Sequence, residues 1–180
     1  MVSDIKTIAV IGAGDDGRKF ACAALRAGYR TILEDVSDSR LEQAMAWIRN
    51  VSGDASSRLL VSYTVEAAVR EADLIIEAVA EEMEMKIEMF TIFDKFAKPD
   101  AIFASSSRLV SIAELAAVTF CPERCLGMRL GSAAGHMDAL ELTCTPQTSD
   151  ETIARCRDVG RRMGKEVVVA EPVIPEISPG

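Results

Sequence analysis

No apolar run in this sequence approaches the roughly 18–20 residues that cross a bilayer, so no membrane span is expected. The opening segment Met1-Val2-Ser3-Asp4-Ile5-Lys6 lacks the basic start and cleavage site of a secretory signal, which points to a cytoplasmic protein. Internal repeats and low-complexity stretches are lacking too. Positive charge is in the minority: the net charge of −8 has the wrong sign for a nucleic-acid surface, which must displace counterions. Histidine occurs once, at His136. The five cysteines, Cys22, Cys121, Cys125, Cys144 and Cys156, are an odd set. Cys121 and Cys125 are four apart, but one histidine and no second cysteine pair supply a zinc site poorly. No metal is expected, and the cysteines read as reduced, mostly buried thiols.

What is present is an ordinary globular composition, 49% hydrophobic and 27% charged over 180 residues, which is enough for one domain. Short β-branched apolar runs alternate with longer amphipathic segments, the pattern of βαβ units and a mainly parallel sheet. Strands are expected at Thr7–Ile11, Thr31–Leu33, Leu59–Tyr63, Leu74–Val79, Ala101–Ala104, Cys125–Leu130, Leu140–Cys144 and Val167–Val169. Helices are expected at Asp16–Ala27, Asp38–Asn50 behind a Ser37 cap, from Thr64 to Ala72, Glu82–Phe96, from Ser111, and Asp150–Met163. Residues 52–57 read as a loop, and the proline-containing tail 171–180 as irregular. The expected fold class is therefore α/β: a doubly wound, mainly parallel Rossmann-type sheet in a single domain over residues 1–170.

Gly12-Ala13-Gly14-Asp15-Asp16-Gly17 matches G-x-G-x-x-G, between an apolar strand and a helix. Gly12 makes the tight turn, Gly14 lets the backbone approach a pyrophosphate, and Gly17 lets the helix pack close to the strand. The helix start offers free N–H groups and a partial positive charge. Asp35 follows Gly17 by 18 residues, at the end of the second strand, where a carboxylate accepts from ribose hydroxyls and repels a 2′-phosphate. A dinucleotide is the expected partner, and NAD is favoured over NADP. Asp15 and Asp16 oppose this unless they point outward, and a turn of this type without a bound nucleotide is the rival reading.

The segments Ile8-Ala9-Val10-Ile11-Gly12-Ala13-Gly14 and Ala72-Asp73-Leu74-Ile75-Ile76-Glu77-Ala78-Val79 carry a family resemblance. So do Met85-Lys86, Ala104-Ser105 and Pro122-Glu123-Arg124 with Gly127. From Lys6 to Val169 the sequence resembles the NAD-binding domain of the 3-hydroxyacyl-CoA dehydrogenase family. The resemblance implies that Glu81 and Lys86 lie near the nicotinamide half of the cofactor, and it adds Ala78, Val79 and Ser106 to the cofactor-binding set. It also exposes replacements. The family's Ser-Asn-Thr-Ser falls on Ser105-Ser106-Ser107-Arg108, which puts Ser106 at an asparagine and Arg108 at the active serine. Its Gly-Leu-His-Phe-Phe-Asn-Pro falls on Gly127-Met128-Arg129-Leu130-Gly131-Ser132-Ala133, which puts Arg129 at the catalytic histidine and Ser132 at an asparagine. Glu141 matches the family's glutamate, and His136 is not at the histidine position.

An arginine holds its proton at working pH and cannot serve as the base. No confident catalytic residue remains. Two readings of the replaced positions stand side by side: Arg108 and Arg129 bind a small anion beside the cofactor, or Arg129 pairs with Glu141 and fills the site. The family's helical domain is not seen in the sequence. The expectation is an NAD-binding protein inactive by itself, with a dehydrogenase completed by another chain as the rival. The Glu82–Phe96 helix carries two apolar stripes, Met83, Ile87, Phe90, Phe93 and Met85, Met89, Ile92, Phe96. The second stripe is expected to meet the neighbouring helix or another subunit, and a homo-oligomer is favoured.

Overall fold

A computed structural model describes residues 4–131 and 138–170. Eight strands form one sheet: β1 (Thr7–Ile11), β2 (Arg30–Glu34), β3 (Leu59–Ser62), β4 (Leu74–Glu77), β5 (Ile102–Ser105), β6 (Cys125–Leu130), β7 (Ala139–Thr143) and β8 (Glu166–Ala170). Their order is β3-β2-β1-β4-β5-β6-β7-β8. Neighbours run parallel except where β7 meets β6. The chain winds outward from β1 to β3 and then restarts at β4 on the other side of β1. That reversal is the switch point outside which ligands of such sheets sit, at the carboxyl ends of the strands.

Among the described residues six α-helices cover the two faces: α1 (Asp15–Arg26), α2 (Asp38–Ser52), α3 (Val65–Arg70), α4 (Met83–Phe96), α5 (Ile112–Ala117) and α6 (Asp150–Arg162). The period-two alternation of strand side chains sorts the core into halves. Ile8, Val10, Leu33, Leu74 and Ile76 pack with Phe20 and Leu25 of α1, Leu41 and Ile48 of α2, and Val159 of α6. Ala9, Ile11, Ile32, Ile75 and Phe103 face the opposite way, onto Val69 of α3, Phe90 and Phe93 of α4, and Leu115 of α5. Burial on both faces is why Leu74-Ile75-Ile76 reads as unbroken apolar sequence. The expected Rossmann-type architecture is present.

Helix starts follow the sequence closely. Ser37, Thr64, Ser111 and Ser149 each accept a hydrogen bond from the backbone N–H three residues on. Each such cap stabilises its helix by about 1 kcal/mol. One expectation is corrected: residues 52–57 are not a loop, because α2 runs on to Ser52 and a 3-10 helix spans Gly53–Arg58. The second stripe of α4 is divided. Met85 and Met89 line a cleft, and Phe96 stacks with Arg70 of α3, 5.1 Å from the ring centroid. All five cysteines are free thiols, and four are buried. No helix among the described residues is long and apolar enough to cross a membrane. Ser132, His136 and the tail 171–180 lie outside the described residues.

Candidate functional site

The turn between β1 and α1 uses its glycines in three ways. Gly12 has φ +106°, where side chains are strained, and a Cβ there would lie 2.5 Å from the Ala78 carbonyl oxygen. A Cβ on Gly17 would run into the Gly12 carbonyl oxygen, so the helix packs on the turn only because none is present. Gly14 is the opposite case, with nothing within 4 Å of where its Cβ would stand. α1 also lacks a side-chain cap, since its N-cap residue is Gly14. Its first-turn N–H groups and positive dipole end therefore remain available for a phosphate. Asp15 pairs with Arg18 and its side chain is 75% exposed; Asp16 is exposed as well. Both carboxylates are solvated, which removes the electrostatic objection to an anion at this turn.

A cleft of about 620 Å³ opens over the turn. Of the expected cofactor residues, Gly12, Gly14, Asp15, Asp16, Asp35, Ala78 and Val79 line it. Asp35 is buried at the end of β2 and firmly held. Its Oδ2 accepts from the Ala13 N–H at 2.9 Å and from Arg40 Nη1 at 3.2 Å, and its Oδ1 accepts from the Ser37 N–H at 2.8 Å. A carboxylate offers about four acceptor sites, so acceptor capacity remains for a ligand hydroxyl.

The cleft also includes residues that sequence reading missed: Glu34, Val36, Arg40, Val65, Met85 and Met89. Arg40 was legible in principle, as a base on the first turn of the helix that follows Asp35. Glu34 carried no signal, because its position beside an acid said nothing about burial. It is 5% exposed, and burial, with Asp35 and Glu66 nearby, pushes its carboxyl up to about 7.

Gly17, Glu81, Lys86 and Ser106 stand outside the cleft lining. Lys86 is 1% exposed and lies beneath the cleft wall. Its Nζ donates to Glu77 Oε1 at 2.8 Å and to the Val79 carbonyl at 3.3 Å. Glu77 also accepts from Ser105 Oγ at 2.6 Å and from the Val79 N–H at 2.7 Å. Lys86 thus braces the carboxyl end of β4, rather than directing its ammonium at a ligand. Ser106 is buried, and its N–H donates to the Glu77 carbonyl at 2.9 Å. Burial works to raise the Glu81 carboxyl, but Ser107 and the Lys86 charge outweigh it and hold it below the usual range.

Farther along the carboxyl edge, Arg129 of β6 lies opposite Glu141 of β7 in the antiparallel register. The two form an ion pair, with Glu141 only 5% exposed. Arg129 Nη1 also donates to the Ser107 carbonyl at 3.2 Å. Burial and the neighbouring Arg108 pull the Arg129 guanidinium down from its usual range. The Glu81 carboxylate opposes that pull. The Arg129–Glu141 pairing that the sequence offered as one reading is present.

A model of the family described as "3-hydroxyacyl-CoA dehydrogenase, NAD binding domain" matches residues 7–173. The chain belongs to this family. NAD is the cofactor of the domain. A 3-hydroxybutyryl-CoA dehydrogenase of Bradyrhizobium diazoefficiens is 33% identical over 95% of this chain and 63% of its own length. The 5-formyl-3-hydroxy-2-methylpyridine 4-carboxylate 5-dehydrogenase of Mesorhizobium japonicum is 30% identical, over 95% of this chain and 59% of its own length. Among solved structures, (S)-3-hydroxybutyryl-CoA dehydrogenase from Ralstonia eutropha superposes with a TM-score of 0.86 at 26% identity, over 97% of this chain and 68% of that one. The chain thus spans about three fifths of the length of the curated relatives it matches, 63% and 62% for two 3-hydroxybutyryl-CoA dehydrogenases.

Proposed function

We propose that this domain holds NAD(H) in the cleft over β1, β2 and β4 and does not by itself oxidise 3-hydroxyacyl-CoA. The Gly12–Gly14 turn and the uncapped start of α1 would hold the pyrophosphate, with Gly14 leaving the space for it. Asp35 accepts from the adenosine ribose, and Val36, Val65 and Met85 offer apolar surface to the adenine. Ala78 and Val79 would line the second ribose, and by the family resemblance Ser106 and Glu81 would stand toward the nicotinamide. Lys86 acts through Glu77, by fixing the end of β4. The cofactor supplies a hydride acceptor, and the partner group needed on the protein is a base for the hydroxyl proton.

The observation that carries the inactive reading is the Arg129–Glu141 ion pair, formed at the position where the family resemblance places a histidine. A guanidinium donates hydrogen bonds and accepts none, so it takes no proton from an alcohol. Loss of a general base costs about two to four orders of magnitude in rate. Calorimetric titration with NAD, NADH and NADP tests the binding half: micromolar NAD with weaker NADP is expected. Turnover of 3-hydroxybutyryl-CoA by this chain alone overturns the inactive half.

A second reading, a dehydrogenase completed by another chain, is favoured by the retained Glu141 and the intact Glu77–Lys86 brace. It predicts turnover that appears only when the completing chain is added. The Mesorhizobium relative is named for a carboxylate that is no thioester, so free acids belong in the substrate search. Five free thiols support a reducing cytoplasm. Leu109 and Phe120, 85% and 97% exposed, support self-association, and a monomer in gel filtration at micromolar concentration overturns that.

A further inference from the structure

We propose that Arg108 and Arg129 together bind an oxyanion group of a small molecule, a carboxylate or a phosphate, at the carboxyl ends of β5 and β6. The proposal rests on the cofactor reading above for its position beside the dinucleotide, but the site itself is built from other residues.

Position comes first. Ser105 of β5 lies in register with Glu77 of β4 on one side and Gly127 of β6 on the other. Glu77 leads into Ala78 and Val79 of the cleft. Arg108 follows β5 and Arg129 stands on β6 two residues after Gly127, so they lie one and two strands along the sheet edge from the cleft. The Arg129 hydrogen bond to the Ser107 carbonyl ties its guanidinium to the loop that carries Arg108. The two guanidiniums are close enough for Arg108 to disfavour the charge on Arg129.

Charge comes second. Two carboxylates are near, and both have partners. Glu141 pairs with Arg129 across the strands. Glu81 accepts from the Ser107 hydroxyl and from backbone N–H groups, including that of Leu109. The Arg108 guanidinium is exposed, and among the described residues it makes no hydrogen bond or ion pair. The cluster therefore leaves one cation uncompensated beside another that is clamped from behind. An oxyanion between them relieves the repulsion and meets the Arg108 donor fork, beside the Arg129 N–H groups that Glu141 and the Ser107 carbonyl leave open. Neither arginine takes a proton in this role, so no hydride transfer is assigned to the bound molecule.

The test is calorimetric titration of the NADH-loaded protein with acetoacetate and, separately, with inorganic phosphate. Saturable binding of either is expected, weakened at least about fivefold by Arg108→Ala, less by Arg108→Lys, and weakened by added salt. Acetoacetate alone binding assigns the site to carboxylates, and phosphate alone assigns it to phosphates. The double variant Arg129→Met with Glu141→Gln removes the second cation without leaving a buried carboxylate unpaired, and weakened binding is expected there too. Absence of binding by both probes, or Arg108→Ala binding both as tightly as the parent, overturns the proposal. NADH titration is run first. If NADH fails to bind, the cofactor reading falls, and the same oxyanion titrations of the protein alone still decide the arginine pair.

Discussion

The two ends of the sheet's carboxyl edge are built on opposite plans. At the β1–α1 turn the protein keeps groups unsatisfied: a helix start without a cap, a glycine facing empty space, and a buried Asp35 with acceptor capacity left over. At β6 and β7 it satisfies them: Arg129 closes on Glu141 and on the Ser107 carbonyl. α2 and α6 start differently, with Ser37 and Ser149 as side-chain caps, while α4 behind Glu82 shares the uncapped start of α1. A binding surface shows itself as polar groups left unpaired at an edge. At β6 and β7 such groups are instead paired with one another.

The brace between the two regions gives the largest expected effect. Lys86→Met leaves Glu77 buried and charged with no cation, which should cost about 3–5 kcal/mol in denaturant unfolding. Adding Glu77→Gln should recover most of it; if the double variant is as unstable as the single one, the pair is not what holds β4. Next is Gly17→Ala, which forces a methyl group into the Gly12 carbonyl and should cost about 1–3 kcal/mol. Because the shift falls on the phosphate turn, NAD affinity should collapse while the β6–β7 end stays intact. Retained NAD affinity in a stable Gly17→Ala protein would break the comparison at its first term. Smaller again is Asp35→Asn. It should weaken NAD by about tenfold, roughly 1–2 kcal/mol, through loss of a charged acceptor. It also frees Arg40 from its ion pair, so NADP should weaken less than NAD or strengthen.

Much of this was legible in sequence. Strand faces, the Ser37, Thr64 and Ser111 caps and the three glycine roles follow from local rules that need no partner across the fold. The Arg129–Glu141 pairing was legible only through the family resemblance, which puts the two residues at the family's histidine and glutamate. Lys86 was not. Its place on a helix start suggested a solvated or ligand-facing cation, and only the approach of α4 to the end of β4 turns it onto Glu77. Glu34 and the cleft walls from Val65 and Met89 were missed for the same reason, since they meet across α2, α3 and α4 rather than along one segment.

Glu34 supplies the last and smallest effect. Burial raises its carboxyl from 4.5 to about 7 in the folded chain. A raised acid favours folding most below its unfolded value, and that advantage is lost as pH rises through the folded one. Stability should therefore fall between about pH 5 and pH 8, by on the order of 1 kcal/mol or a melting-temperature drop of about 2–4 °C. Asp73 and Glu81 are both held below the usual carboxylate range, so they stay charged across this window and add no slope. Thermal melts of the parent and of Glu34→Gln isolate the effect, because every other titrating group is common to both. A slope that survives in Glu34→Gln would mean that the buried acid at the cleft wall is not its source. A slope that vanishes would assign it to Glu34, a carboxyl half protonated near neutral pH at the wall of the cleft over the β1–α1 turn.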